Sequence, residues 1–283
     1  DYFKEKSASI EVKEFLSLTK IGRSHKLFNN LFTEIKNRNS ADTSRNTEYY
    51  FNEYYRGSRI QLPLKNVVLS DANKNTLLTT IDTFIKKEEW YKENSIPYHL
   101  GILLHGPPGT GKTTLIKAIA TYFNKGIRVI DNMPCLSLIM GSKLCSEELV
   151  AIEEVDTFGI GHDSSKEGDP PKAYNALVAE LNLPKMLAVL DGLLSMHGTI
   201  IVMTTNHINK IAPAVLRPGR IDLLLEIGYM DVQMFEDMIA KFYSPFTLEN
   251  RVVKHGITPA QVQQDIIAGM TVDDLVEKYT MKV

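Results

Sequence analysis

A glycine-rich loop between an apolar run and a helix-like segment constrains the fold of this chain more than any other feature. The apolar run is Gly101–Leu104, and the loop after it is Gly106-Pro107-Pro108-Gly109-Thr110-Gly111-Lys112-Thr113-Thr114. This order predicts a strand, a phosphate-binding P-loop and a helix, because glycines let backbone N–H groups turn toward an anion at the positive end of the helix. Lys112 is then expected to reach the β- and γ-phosphates of a nucleotide, and the Thr113 hydroxyl to bind Mg²⁺. An ordinary Gly/Pro turn is the alternative, and it leaves the lysine without a role.

The length and composition are those of an ordinary globular protein. The chain has 283 residues, of which 43% are hydrophobic and 23% are charged, so it can form one large or two modest domains. A total of 32 basic residues against 34 acidic ones gives no overall attraction to nucleic acid or to an anionic membrane. Cys135 and Cys145 lack metal-ligand spacing and a nearby histidine, which indicates free thiols in a reducing compartment.

The sequence shows no pattern for a membrane span or for secretion. No apolar run approaches the roughly 18 to 20 residues that a span needs, and no signal-peptide pattern opens the chain. These observations predict a cytoplasmic protein. The alternative is a membrane-anchored protein whose anchor lies in an amino-terminal segment before Asp1, because the sequence does not begin with methionine.

Two carboxylates, Glu153 and Glu154, follow a second buried run, Leu149–Ile152. We predict that this run is a parallel strand beside the P-loop strand, because the spacing of about forty residues leaves room for one helix and one strand. One carboxylate is needed to hold the Mg²⁺ shell, and the next to orient or deprotonate the attacking water. We assign the first role to Glu153 and the second to Glu154.

A third buried run, Thr199–Thr205, has the polar tip Asn206. We expect Asn206 to lie level with Glu154, where its amide would be near the γ-phosphate and the water. Arg217 and Arg220 then flank a Pro-Gly turn. Guanidinium groups held on such a turn suit γ-phosphate recognition, either in the same subunit or as fingers from a neighbour.

The amino-terminal part of the chain has the patterns of a small separate domain. Ser9–Thr19 alternates apolar and polar side chains as a half-buried strand does, and Lys26–Lys36 has helical spacing. The aromatic patch Tyr49–Tyr55 lies beside Arg56 and Arg59. We interpret the patch as a strand that packs this domain, with stacking on single-stranded nucleic acid as the alternative.

Other segments are assigned from their periodicity. Pro63 predicts an extended linker at Leu62–Leu69, and helical spacing predicts a helix at about Asp71–Lys87. Leu136–Gly141 is either a loop that faces the pore of a ring or a buried strand end or helix start. Ala173–Leu194 is expected to be largely helical, with a break or kink at Pro184.

The carboxyl-terminal part is predicted to be a small helical lid. Apolar residues recur at helical spacing from Val232 onward. Thr258 is followed by a proline and then by Gln261, which indicates a capped helix start with a capping box. Thr271 indicates a second helix start, as an N-cap threonine followed by the acidic residues Asp273 and Asp274 in the first turn.

With these motifs in place, the chain resembles the AAA ATPases. It most resembles the branch of the mitochondrial inner-membrane ATPase that assembles the cytochrome bc complex by translocating the folded Rieske protein, with a soluble bacterial or viral relative as the expected kind of member. The resemblance covers most of Leu62–Gln263. Besides the P-loop it is carried by Leu62–Leu69, Trp90-Tyr91, Ile96-Pro97-Tyr98, Leu190-Asp191-Gly192, Thr204-Thr205-Asn206-His207, Arg217–Asp222 and Thr258–Gln263. Upstream, Leu18–Arg23 resembles the end of the amino-terminal domain of that branch.

The resemblance implies a fold and a set of domains. The fold is α/β, a P-loop NTPase parallel sheet flanked by helices, followed by a small helical lid and preceded by part of a small α+β domain. The remnant of the amino-terminal domain is then residues 1–60, the nucleotide-binding domain 61–230 and the lid 231–283.

The resemblance also implies roles for site residues. Asn206 takes the sensor position, and Arg217 and Arg220 take arginine-finger positions across a subunit interface. AAA proteins generally carry Asp-Glu where this chain has Glu153-Glu154. The longer Glu153 is therefore expected to hold Mg²⁺ through water.

The expected function is that of a homo-oligomeric ring of six or seven subunits that binds ATP and Mg²⁺ and couples hydrolysis to remodelling or translocation of a protein. A nucleic-acid motor or loader is one alternative, and the near-neutral charge disfavours it. A slow, nucleotide-controlled scaffold is the other, and Glu153 in place of aspartate motivates it. The expected nucleotide-binding residues are 106–114, and the expected metal ligands are Thr113 and Glu153.

Overall fold

The main body of the fold is one seven-stranded sheet. The computed structural model describes residues 46–51, 54–131, 136, 147–158, 173–191 and 197–282. In sheet order, the strands follow as β2-β1-β4-β5-β6-β3-β7. Their bounds are β1 (Asn46–Phe51), β2 (Tyr54–Ile60), β3 (His99–His105), β4 (Gly126–Val129), β5 (Glu148–Ile152), β6 (Thr199–Thr205) and β7 (Leu223–Glu226). Six of the strands run parallel, and the edge strand β2 pairs antiparallel with β1.

Four helices accompany this sheet in the described part of the chain. They are α1 (Asp71–Lys86), α2 (Glu88–Glu93), α3 (Lys112–Tyr122) and α4 (Ala173–Leu190), with single 3₁₀ turns at Leu64–Asn66, Val155–Phe158 and Ile208–Lys210. The helix predicted at Asp71–Lys87 is confirmed. Pro184 lies inside α4 and does not end it. A 3₁₀ turn interrupts the linker predicted to be extended at Leu62–Leu69.

The sheet is covered on both faces, which explains why its central strands are apolar without alternation. Along β3, Ile102 and Leu104 belong to one buried cluster and Leu103 to the other. The first cluster contains α1 and α3, and the second contains the end of α4. An α/β fold of the P-loop type, with a parallel sheet flanked by helices, is therefore confirmed.

Two expectations about strand placement are corrected by the sheet. The aromatic segment is predicted to pack a separate amino-terminal domain, but β1 pairs in parallel with β4, so β1 and β2 extend the main sheet. Strand β5 is predicted to lie beside the P-loop strand β3, but β6 pairs with both of them and lies between them. Apolar strands of similar length carry no mark of their order, so the sequence pattern could not decide it.

The carboxyl-terminal segment packs around its own hydrophobic core. It consists of α5 (Val232–Phe242), α6 (Pro259–Ile267), α7 (Val272–Tyr279) and a small antiparallel pair, β8 (Arg251–Val253) with β9 (Thr280–Lys282). Phe235, Val262 and Leu275 lie at the centre of this core. The capping boxes at Thr258 and Thr271 are both present. The partition into domains at residues 1–60, 61–230 and 231–283 stays a prediction.

Several predicted features lie outside the described residues. These are the strand at Ser9–Thr19, the helix at Lys26–Lys36, Cys135, Cys145 and all of Leu136–Gly141 except Leu136 itself. Among the described residues, no helix is both long enough and apolar enough to cross a membrane.

Candidate functional site

A cavity of about 620 Å³ lies where the carboxyl ends of β3, β5 and β6 meet. Its lining includes P-loop residues 108–114, together with Glu153, Glu154 and Asn206. Parallel strands present their carboxyl ends at one edge of a sheet, and ligands of open α/β sheets bind in the crevice there. Because β6 lies between β3 and β5, the P-loop, the two glutamates and Asn206 all lie at this edge.

The P-loop has the backbone that an anion cradle needs. Gly106, Gly109 and Gly111 have φ values of 143°, 79° and 99°, in the region that favours glycine. A Cβ on Gly106 would lie 2.1 Å from the carbonyl oxygen of Ile227, so the close packing of the loop against the residue that follows β7 also requires glycine there. Gly111 is the N-cap of α3, so the positive end of this helix follows directly after the loop.

Lys112 is held by the loop that it follows. Its Nζ donates to the carbonyl oxygens of Gly106 and Pro107, both at 2.7 Å. An ammonium group has three N–H donors, so one remains for an anion in the cavity. Burial lowers the pKa of Lys112 below its ordinary value, and the negative charge of Glu154 opposes this shift. The charges of Lys112 and Glu154 therefore interact, and both residues line the cavity.

Other residues that line the cavity were not identified from sequence motifs. They are Asn66, Val67 and Val68, then Met238 and Lys241 of α5, and Pro259, Ala260 and Gln263 of α6. Lys241 Nζ donates to the carbonyl oxygen of Asn66 at 2.8 Å. Residues so far apart in the chain share no periodic signal. Only the resemblance at Leu62–Leu69 and Thr258–Gln263 pointed to these segments.

The lid contacts the P-loop directly. The N–H of Ala260 donates to the carbonyl oxygen of Gly109 at 3.2 Å. A Cβ on Gly109 would lie 3.2 Å from Thr258 Oγ1, so the capped start of α6 rests against this glycine. The P-loop and the start of α6 are thus in contact where both line the cavity.

Arg217 and Arg220 do not line the cavity of their own chain. Arg217 is exposed. Arg220 forms an ion pair with Asp191 at the end of α4. Asp222 anchors the arginine-bearing loop on β3, because its Oδ2 accepts from the N–H of Gly101 at 2.9 Å and its own N–H donates back to Gly101 at 2.8 Å.

The donors for a metal ion are few and are all oxygens. In the part of the chain that the structure describes, no group of three or more His, Cys, Asp or Glu side chains could hold a metal ion by itself. Thr113 and Glu153 both line the cavity. Mg²⁺ keeps several waters and takes one or two protein oxygens plus substrate phosphates, so this sparse set fits Mg²⁺.

Comparisons with known proteins identify a family match and similar proteins. Residues 102–229 match the model of the ATPase family associated with various cellular activities (AAA). The chain is 31% identical over 275 residues to a human protein, mitochondrial chaperone BCS1, covering 88% of this chain and 63% of that protein. It is 28% identical over 289 residues to the probable mitochondrial chaperone BCS1-B of Dictyostelium discoideum, covering 88% and 62%. The chain thus spans less than two thirds of the length of these relatives.

Proposed function

Because this chain contains an AAA ATPase domain of the BCS1-like branch, we propose that it binds ATP with Mg²⁺, assembles into a ring and couples ATP hydrolysis to the remodelling or translocation of a protein. The observation that carries the proposal is the cavity in which the P-loop, two carboxylates and an asparagine face one space. Each of these groups answers a separate need of phosphoryl transfer.

The residues that line the cavity suggest how ATP lies in it. The phosphates belong at the P-loop, where backbone N–H groups, the start of α3 and Lys112 supply positive charge. The base belongs beside Val67, Val68 and Met238, which offer apolar surface to an aromatic ring in the same cavity. ATP would therefore touch both the sheet domain and the lid.

Thr113 and Glu153 are the residues that would hold Mg²⁺. When bound, the ion neutralises charge that develops on the phosphate oxygens. By the resemblance, Glu153 stands where AAA proteins generally carry the shorter aspartate, and its extra methylene suits binding through an intervening water. The same difference favours, as a second candidate function, a nucleotide-controlled scaffold that hydrolyses ATP slowly.

Glu154 and Asn206 are the residues that we assign to the attacking water. A carboxylate beside the γ-phosphate can orient this water and accept its proton, and the Asn206 amide can hold the water or the γ-phosphate in line. Both side chains line the same cavity as Lys112.

The positions of the two arginines support action across a subunit interface. Neither lines the cavity of its own chain, although a γ-phosphate in that cavity needs positive charge beyond Lys112. A neighbouring copy in a ring could supply Arg217 directly, and Arg220 after it leaves Asp191. Ring formation would then complete each site.

A protein substrate is the favoured class. The relatives named above are described as chaperones, and the formal net charge of −2 provides no general attraction to nucleic acid. The test is the steady-state ATPase rate of the purified chain alone, with DNA or RNA, and with a tightly folded test protein. Stimulation by the protein alone supports the proposal. Stimulation by nucleic acid alone would assign a motor, and ATP binding with no turnover under any condition would assign a scaffold.

A further inference from the structure

Glu154 has a backbone conformation that glutamate rarely adopts. Its φ is +51°, in the left-handed region that is favourable mainly for glycine, asparagine and aspartate. Such a conformation persists only where surrounding contacts hold it, and it is concentrated at functional sites. Glu154 is also the residue to which the proposed function gives the attacking water. The contacts that hold its backbone therefore affect the placement of a group needed for turnover.

Two threonines bind the backbone of Glu154 from opposite sides. The N–H of Glu154 donates to Thr204 Oγ1 at 3.1 Å. The carbonyl oxygen of Glu154 accepts from the N–H and the hydroxyl of Thr157, both at 2.8 Å. Both peptide groups of this residue are thus bound, one by strand β6 and one by the turn after β5.

The neighbouring residues fix the same loop to the same strand. Thr205 Oγ1 donates to Asp156 Oδ1 at 2.7 Å and accepts from the N–H of His207 at 2.9 Å. Thr204 is only 3% exposed, and its hydroxyl lies on the strand that separates β5 from the P-loop strand. This strand therefore joins the segment bearing Glu154 to the segment bearing Asn206.

We propose that Thr204 is a positioning residue for turnover, which holds Glu154 in the left-handed conformation and keeps its carboxylate facing the cavity, with Thr157 holding the other side. This inference rests on the proposed function of Glu154. Without the Thr204 hydroxyl, the Glu154 N–H loses its partner, and the peptide is free to relax into a common conformation. The carboxylate would then turn away from the water while the P-loop stays intact.

The central test compares Thr204→Val with Thr204→Ser. Valine keeps the shape and removes the hydroxyl, so kcat is expected to fall by about ten- to hundredfold while the Kd for ATP changes less than about twofold. Serine keeps the hydroxyl and is expected to recover most of the turnover. Equal kcat values for the valine variant and the parent would overturn the inference, and so would a loss of ATP affinity as large as the loss of kcat.

A double mutant separates positioning from general structural damage. If Thr204 acts through Glu154, then Thr204→Val should slow single-turnover hydrolysis far less in a Glu154→Gln background than in the parent. An equal slowing in both backgrounds would show that Thr204 acts elsewhere. If the wild-type chain bound no ATP, the proposed function itself would be refuted. If Glu154→Gln were inactive while Thr204→Val remained fully active, only the positioning role of Thr204 would be refuted.

A substitution at Thr157 provides a second test of the inference without changing the hydrophobic core. Its side chain is exposed, so Thr157→Ala removes one hydrogen bond to the Glu154 carbonyl oxygen and leaves the buried Thr204 in place. We expect a smaller fall in kcat, with unchanged ATP affinity and unchanged thermal unfolding. If Thr204→Val does not fold, the inference is tested by Thr157→Ala alone. An unchanged kcat for Thr157→Ala would then overturn the inference.

Discussion

Arg220 is bound to Asp191 by two parallel hydrogen bonds within its own chain. Its Nη2 donates to Asp191 Oδ2 at 2.9 Å, its Nε donates to Oδ1, and its Nη1 donates to the carbonyl oxygen of Ala214 at 2.6 Å. The hydrogen bonds from Arg220 hold the pKa of Asp191 below its usual value. Arg217, three positions earlier, is exposed. In the single chain, the predicted finger residue Arg220 is therefore held in an ion pair, whereas Arg217 is exposed.

This difference predicts different outcomes for two variants. Arg217→Ala is expected to lose turnover and keep its stability, because the side chain is exposed and its proposed partner is in another subunit. Arg220→Ala is expected to lose turnover and also to lower the free energy of unfolding by about 1 kcal/mol, since it removes a partly exposed ion pair and a hydrogen bond. Urea unfolding at neutral pH, beside ATPase assays, measures both. A stable Arg220→Ala chain would show that the ion pair with Asp191 contributes little.

Mixing two inactive variants tests action across the interface. One variant is Lys112→Ala, and the other carries Arg217→Ala with Arg220→Ala. Where an arginine-intact subunit faces a P-loop-intact neighbour, one complete site forms, so the mixture is expected to regain part of the ATPase activity. Loss of an arginine finger lowers kcat by about 10³ to 10⁵ in P-loop enzymes, so even partial recovery is measurable. Mixed assembly must be confirmed by sizing with one variant tagged, and full activity from a monomer would exclude the trans arrangement.

Lys112→Ala is expected to abolish tight ATP binding. The substitution removes the buried ammonium group that the P-loop carbonyls hold beside the cavity. Lys117→Ala on the same helix is the matched control, because Lys117 does not line the cavity. Calorimetric titration with ATP gives the Kd of each. Equal affinity of Lys112→Ala and the parent would disprove the assignment of this loop to phosphate.

Glu154→Gln is expected to retain ATP and lose turnover, because the amide keeps the size of the side chain but cannot accept a proton. Removal of a general base lowers kcat by about 10² to 10⁴. Glu153→Gln is instead expected to weaken Mg²⁺ binding, seen as a higher magnesium requirement. The exposed Glu147→Gln is the control, outside the cavity. If Glu153→Gln were the slower variant with intact magnesium dependence, the two roles would have to be exchanged.

The buried Tyr98 predicts a pH dependence of stability. Its ring stacks on Phe84 at 4.1 Å, and its hydroxyl donates to the carbonyl oxygen of Phe84 at 3.2 Å. Burial, with a smaller effect from Glu88, raises the pKa of Tyr98 to about 12. Since the folded-state pKa lies above the unfolded value of about 10, the contribution of Tyr98 is intact below that value and is lost as pH rises toward about 12.

Tyr98→Phe should therefore be less stable at neutral pH by about 1 kcal/mol, because it lacks the hydrogen bond. It should also lose less stability than the parent between about pH 10 and 12. Denaturant unfolding across this range measures the difference, with the exposed Tyr229→Phe as the control. Parallel pH curves for Tyr98→Phe and the parent would contradict the assignment.

Short sequence patterns were enough to identify the local chemistry. The glycines at positive φ, the helix that starts at Lys112 and the caps at Thr258 and Thr271 all depend on residues a few positions apart, so short patterns identify them. The buried strands could be recognised for the same reason. Their apolar runs reflect a sheet covered on both faces.

Which of these segments come into contact depends on how the whole chain packs. The place of β6 between β3 and β5, the pairing of β1 with β4 and the contact of Lys241 with Asn66 join residues far apart in the chain. Such contacts depend on how whole elements pack, and no local pattern encodes them. The left-handed conformation of Glu154 is of the same kind, because glutamate has no intrinsic preference for it and a threonine fifty positions away supplies the hydrogen bond that holds it.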